Sequence, residues 1–249
     1  MLKKLYSKSE LWFALAWIIA YCVLMSAGDA LSEAAGLAKS VTLPVALLLS
    51  AILLLFLRKN RLCAHYGLRS ATAPARSVLY YLPVLLMLTA NLWYGITLPT
   101  DAAPAVLYVL TMLCVGFLEE VIFRGLLFEA MRKDSPRAAV IVSSISFGIG
   151  HIINLFNGSG ADLLSGLLQV VYATAAGFMF VMLYCRTESL LVCIAAHGIF
   201  NALSVLASEA AAASQAQLVT AALLTLITGS YAAYLALSER RENNTASKE

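Results

Sequence analysis

The sequence predicts an all-α, polytopic membrane protein of about eight transmembrane helices around a polar cavity within the membrane. Composition is the first of three observations behind this reading. Hydrophobic residues make up 61% of the 249-residue chain and charged residues 12%, with mean hydropathy +0.83. A soluble domain carries about 25% charged residues. The second is a series of charge-free runs, each reaching about the 18 apolar residues that cross a bilayer core. The third is the placement of lysine and arginine, which alternates with those runs.

The runs are Leu11–Gly28, Ser40–Leu57, Ser77–Thr100, Ala138–Ala161, Leu163–Cys185, Ser189–Ser208 and Ala210–Ser238. An eighth, from Pro104 to about Met131, would be equally plain without the charges it contains. With the N-terminus in the cytoplasm, the inner segments collect Lys3, Lys4, Lys8, Arg58, Lys59, Arg61, Arg69, Arg76, Arg132, Lys133, Arg137, Arg186, Arg240, Arg241 and Lys248. Lys39 alone lies outside and Arg124 lies within a span. This bias puts both termini in the cytoplasm. The compact length and short loops suggest a bacterial plasma membrane.

The organisation read from these runs is residues 1–103 as the first three transmembrane helices and 104–208 as a core of four. Residues 209–238 form a last span, and 239–249 a polar, disordered cytoplasmic tail. The first span is longer than a signal peptide's apolar region, about 7–15 residues, and is retained. Gly148, Gly150, Gly177 and Gly198 are candidates for close helix–helix approach. A net charge of +3 is too small for a nucleic-acid surface. The five cysteines are scattered without a CxxC pair, so buried free thiols are expected rather than a disulfide framework or zinc finger.

Function is carried by charges where lipid should be. The segment GFLEEVIFRG, residues 116–125, places Glu119, Glu120 and Arg124 inside the span from Pro104. Each costs about 2.5–3.5 kcal/mol at mid-bilayer on insertion scales, so they must be paired, hydrated or functional. Glu120 and Arg124 stand i,i+4 with the acid first, the favourable order for one helix face. Glu119 lies about 100° round an ideal helix and is left over. The bland alternative is a polar cluster that only ties helices together.

Two further sites weigh against it. SFGIGH carries His151 and AAHGIFN carries His197 and Asn201, again i,i+4, while His65 sits in a basic loop and is read as structural. Glu119 is twelve residues from Met131, His151 thirteen past Ala138 and His197 eight past Ser189. At 1.5 Å per residue these are depths of ~18, ~20 and ~12 Å, a band compatible with one shared cavity.

Glu119-Glu120-x-x-x-Arg124, Phe147-x-x-x-His151 and His197-x-x-x-Asn201, in this order on separate helices, resemble the signature of the CPBP family of intramembrane proteases, also called the Abi family, which includes the type II CAAX prenyl endopeptidase. The resemblance covers roughly residues 104–208. It implies hydrolysis of a peptide bond in a peptide or protein substrate, lipidated in the CAAX case, at a site surrounded by membrane lipids. Glu119 would activate water, His151 would position it, and His197 and Asn201 would stabilise the oxyanion. Glu120, Arg124 and Phe147 would support them. No cofactor is expected and no metal ligand is assigned. The zinc alternative would draw on Glu119, His151 and His197 with one open position, although HExxH is absent. The rival functions are a non-enzymatic scaffold or immunity protein, and an ion-coupled transporter, the latter weakened by the lack of a visible repeat.

Overall fold

A computed structural model describes the backbone of residues 2–71, 81–155 and 162–246, with side chains to Ser238 in the last helix. Every regular element among them is helical. A short α1 (Leu2–Lys8) precedes α2 (Glu10–Ala34), α3 (Thr42–Lys59) and α4 (Leu82–Leu88). The core follows as α5 (Ala102–Arg132), α6 (Pro136–Gly150), α7 (Leu163–Thr187) and α8 (Leu190–Leu203), and α9 (Ser214–Ala246) closes the bundle. Starts are set locally. Side chains of Ser9, Asp101, Ser135, Asp162 and Ser189 accept hydrogen bonds from the first free N–H groups of α2, α5, α6, α7 and α8.

Among the described residues six helices are long and apolar enough to cross a membrane, and Leu190–Leu206 is a shorter apolar helix. The remaining predicted span, Ser77–Thr100, is not a continuous helix. Residues 77–80 lie outside the described residues; the rest comprises α4, a 3-10 turn at Ala90–Leu92 and an irregular stretch. Hydropathy overlooked its polar helix-enders. Trp93 Nε1 donates to Thr89 Oγ1, Asn91 Nδ2 donates to the Phe200 carbonyl, and Gly95 adopts φ +107°. The run 138–161 gives α6 and a 3-10 turn, His151–Leu155, beyond which 156–161 lie outside the described residues. Helix α9 continues to Ala246, so residues 239–246 are helical where a disordered tail was predicted, and 247–249 lie outside the described residues. Its Glu and Arg residues are adequate helix formers.

The two ends of the bundle are distinct. At one end Lys133 Nζ pairs with Glu10 at 2.8 Å, Arg69 pairs with Glu188 at 2.6 Å, and Leu190 N–H donates to the Gly67 carbonyl. At the other, Lys39 pairs with Asp29 at 2.7 Å and the backbone at Ile96 meets Ala207. Large apolar side chains such as Ile19, Leu55 and Leu226 are exposed on the outer faces, the surface a bilayer would cover. Inside, three glycine contacts bring helices to backbone distance. A Cβ at Gly116 would meet Gly198 Cα at 2.6 Å, one at Gly148 would meet Thr174, and one at Gly177 would meet the Ser144 carbonyl at 2.9 Å. Gly150 is looser, with Phe123 Cζ at 4.0 Å. All five cysteines are free thiols.

Candidate active site

Helix α5 changes character where the charges begin. Ala102–Glu119 is α-helical, Glu120–Leu127 is a π-helical stretch, and Phe128–Arg132 returns to α. Such wide turns, bonded i→i+5, are frequent at functional sites. Every residue of the π stretch is buried. The altered ladder is tied to α6 by Ser143, whose Oγ donates to the Phe123 carbonyl at 2.8 Å.

Glu120 and Arg124 form the expected pair. Arg124 Nη1 donates to Glu120 Oε1 at 3.0 Å, and neither side chain is exposed. The guanidinium carbon lies 4.0 Å from the Phe147 ring centroid and 5.4 Å from that of Phe180. Desolvated cation–π contacts of this kind are worth about 2 kcal/mol. Phe147 and Phe180 thus both pack on the guanidinium, and Phe180 was not among the residues read from the sequence.

His197 links the two acids. Its Nδ1 is 2.8 Å from Glu120 Oε1 and its Nε2 is 3.5 Å from Glu119 Oε2. The ring stacks on Phe180 with centroids 5.5 Å apart and planes at 19°. The Gly116–Gly198 crossing, one residue beyond His197, is what brings α8 close enough to α5 for this bridge. Glu119 is also less solitary than its angle on an ideal helix suggested. Tyr21 on α2 donates its hydroxyl to Glu119 Oε1 at 2.6 Å, whereas Oε2 has no hydrogen-bond partner. The ideal-helix reading saw only neighbours on the same helix. A tyrosine 98 residues away in an apolar run gives no sequence signal.

His151 sits at the end of α6, its Nδ1 2.9 Å from the Phe147 carbonyl. A carbonyl can only accept, so Nδ1 carries the proton, and in the neutral ring Nε2 keeps its lone pair. Its ring lies 5.0 Å from Phe147, centroid to centroid. A cavity of about 810 Å³ is lined by Tyr21, Glu119, Phe147, His151 and Asn201, and extends to Asp29 and Lys39. A second, of about 50 Å³, touches His151, His197 and Asn201, room for a water or two. All seven predicted residues thus belong to one neighbourhood: Glu119, Glu120, Arg124, Phe147 and His197 in mutual contact, and His151 and Asn201 on the shared cavity walls. Among the described residues no group of three or more His, Cys, Asp or Glu side chains is placed to hold a metal ion.

Residues 101–203 match the family model described as type II CAAX prenyl endopeptidase Rce1-like. No curated protein and no solved structure matches the chain. The matched segment spans α5 to α8 and holds all seven predicted residues; Tyr21 and α9 lie outside it.

Proposed function

With residues 101–203 assigned to the CPBP family of CAAX-type intramembrane proteases, we propose that the protein is an intramembrane endopeptidase in which Glu119 activates the water that cleaves a peptide bond. The observation that carries this reading is the asymmetry of Glu119. One oxygen is held by Tyr21, while the other is buried, has no hydrogen-bond partner, and belongs to a residue lining the cavity. A role confined to helix packing needs only the Arg124–Glu120–His197 cluster, and gives no reason for a second acid on a cavity wall.

In the proposed reaction Glu119 Oε2 takes a proton from water as the oxygen bonds to the substrate carbonyl carbon. His151 Nε2 accepts the water's other hydrogen and so orients it. Glu120 accepts from His197 Nδ1–H, which turns Nε2 toward Glu119 Oε2 at 3.5 Å. The proton taken by Glu119 passes to that nitrogen. The resulting imidazolium is stabilised by Glu120, which Arg124 neutralises in turn. His197 in this form and the Asn201 amide then face the oxyanion. Donors of this kind are worth about 10²–10³ in kcat in a water-poor site. Collapse breaks the C–N bond, and the proton moves to the leaving amine. No metal takes part in these steps.

The reading is tested by reconstituting the protein in liposomes, supplying a peptide library and mapping products by mass spectrometry. Internal cleavage at a defined position is expected. Intact peptides accompanied by solute flux across the bilayer would overturn the reading in favour of transport.

A further inference from the structure

We infer that the substrate segment reaches this site from the non-cytoplasmic face of the membrane, which makes the substrate an internal stretch of a polypeptide displayed there. The inference rests on the peptidase reading and concerns which substrates that site can take.

The Glu10–Lys133 and Arg69–Glu188 pairs gather the ends of α2, α5, α7 and α8 at one end of the bundle. That end also carries Arg58, Lys59, Arg61, Arg132 and Arg137, whereas the opposite end carries Lys39. By the distribution of positive charge, the first end faces the cytoplasm. Tyr21 is eleven residues along α2 from Glu10, or ~16 Å deep at the helical rise. Asp29 lies eight residues farther, ~12 Å beyond the site in the same direction.

The large cavity occupies only that farther half. From Tyr21, Glu119 and His151 it runs along α2 to Asp29, Glu33 and the loop at Gly36–Lys39, and among the described residues none lining it comes from a loop at the basic end. Between the site and the basic end the interior is filled. Leu126, Leu127, Phe128, Tyr66, Tyr184 and Leu190 are all at most 4% exposed. Tyr184 also donates its hydroxyl to Glu129, and Tyr66 donates to Tyr6. A chain arriving from the cytoplasm would have to displace this packed layer.

The mouth also bears on which part of a polypeptide fits. Among the described lining residues Lys39 is the only lysine or arginine, and it is already paired with Asp29. Asp29 accepts from Thr42 as well, and Glu33 adds a further acid. A free C-terminal carboxylate entering here would lose its hydration without gaining an unpaired cation. An internal stretch carries no such charge.

Orientation is tested without reference to proteolysis. In a chain with its five native cysteines replaced, Ala38→Cys marks the mouth and Asp134→Cys the opposite loop, both positions exposed. A membrane-impermeant maleimide applied to intact cells should label the first at least tenfold more than the second, which should react only after permeabilisation. The reverse pattern overturns the inference. If the cysteine-free background fails to accumulate, a C-terminal fluorescent-protein fusion to the native chain should fluoresce as a cytoplasmic fusion does, and a dark, exported fusion overturns it. A peptide added to right-side-out membrane vesicles should be cleaved, and one added to inside-out vesicles should not. Cleavage confined to inside-out vesicles, or equal in both, overturns the inference. Labelling as expected with cleavage in neither preparation supports the mouth and overturns the peptidase reading instead.

Discussion

Gly116→Ala probes how the site is assembled from two helices without touching any group in the reaction. A Cβ at position 116 would stand 2.6 Å from both Cα and N of Gly198. These are backbone atoms that cannot rotate away, and carbon contacts settle at about 3.5–4.0 Å. Helices α5 and α8 must therefore separate by about 1 Å. The His197–Glu120 contact, now 2.8 Å, would stretch to about 3.8 Å and cease to be a hydrogen bond. Displacement of this size at a catalytic group costs about 10²-fold in rate. The accompanying overpacking costs about 1–3 kcal/mol, so the protein should still insert. Gly198→Ala is expected to be milder, since its nearest obstacle is the flexible Leu113 side chain at 3.3 Å. Gly229→Ala, with nothing within 4 Å, should be silent. The assay is kcat/KM for peptide cleavage in liposomes, with detergent melting temperature as the stability control. Full activity in Gly116→Ala would refute the dependence of the site on this crossing.

Other substitutions separate the remaining roles. Arg124→Met removes the guanidinium that neutralises Glu120 at zero exposure and leaves it only the His197 contact, which should cost about 3–5 kcal/mol, read as a lowered melting temperature. Adding Glu120→Leu should recover most of that stability but none of the activity, because His197 loses its acceptor. Tyr21→Phe removes the 2.6 Å donor to Glu119. A hydrogen bond to a charged group is worth about 1.5–3 kcal/mol of stability, so the melting temperature should fall, and kcat should fall with it because the carboxylate loses the contact that orients it. Protein stripped by chelators and dialysed should retain full cleavage, and activity restored only by added zinc would contradict the proposed reaction.

The membrane class and most of the helices were legible because each rests on a local signal. Charge-free runs give spans, and an acid pair with an arginine i,i+4 gives a motif wherever it falls. The third span was misread because Thr89, Asn91 and Gly95 barely lower the hydropathy of their run, yet end a helix. The placement of Glu119 was misjudged for a related reason. An ideal helix keeps the two acids about 100° apart, but the π stretch and the close approach of α8 bring both to one imidazole. Tyr21, Phe180 and Ser143 act through contacts with other helices, and nothing in their neighbouring residues marks them. Glycine was a better guide. Three of the four glycines singled out sit at backbone-distance crossings, while Gly116, the partner of Gly198, was read only as part of Glu119's stripe.

The central claim is that the Glu119 carboxylate deprotonates the attacking water. Glu119→Gln keeps the volume and can still accept from Tyr21, so the fold and the cavity should survive. Single-turnover cleavage by matched amounts of inserted wild type and variant isolates the chemical step. A fall of at least about 10²-fold, within the range attributed to general bases, is the predicted result. Equal rates in the two proteins would contradict the account.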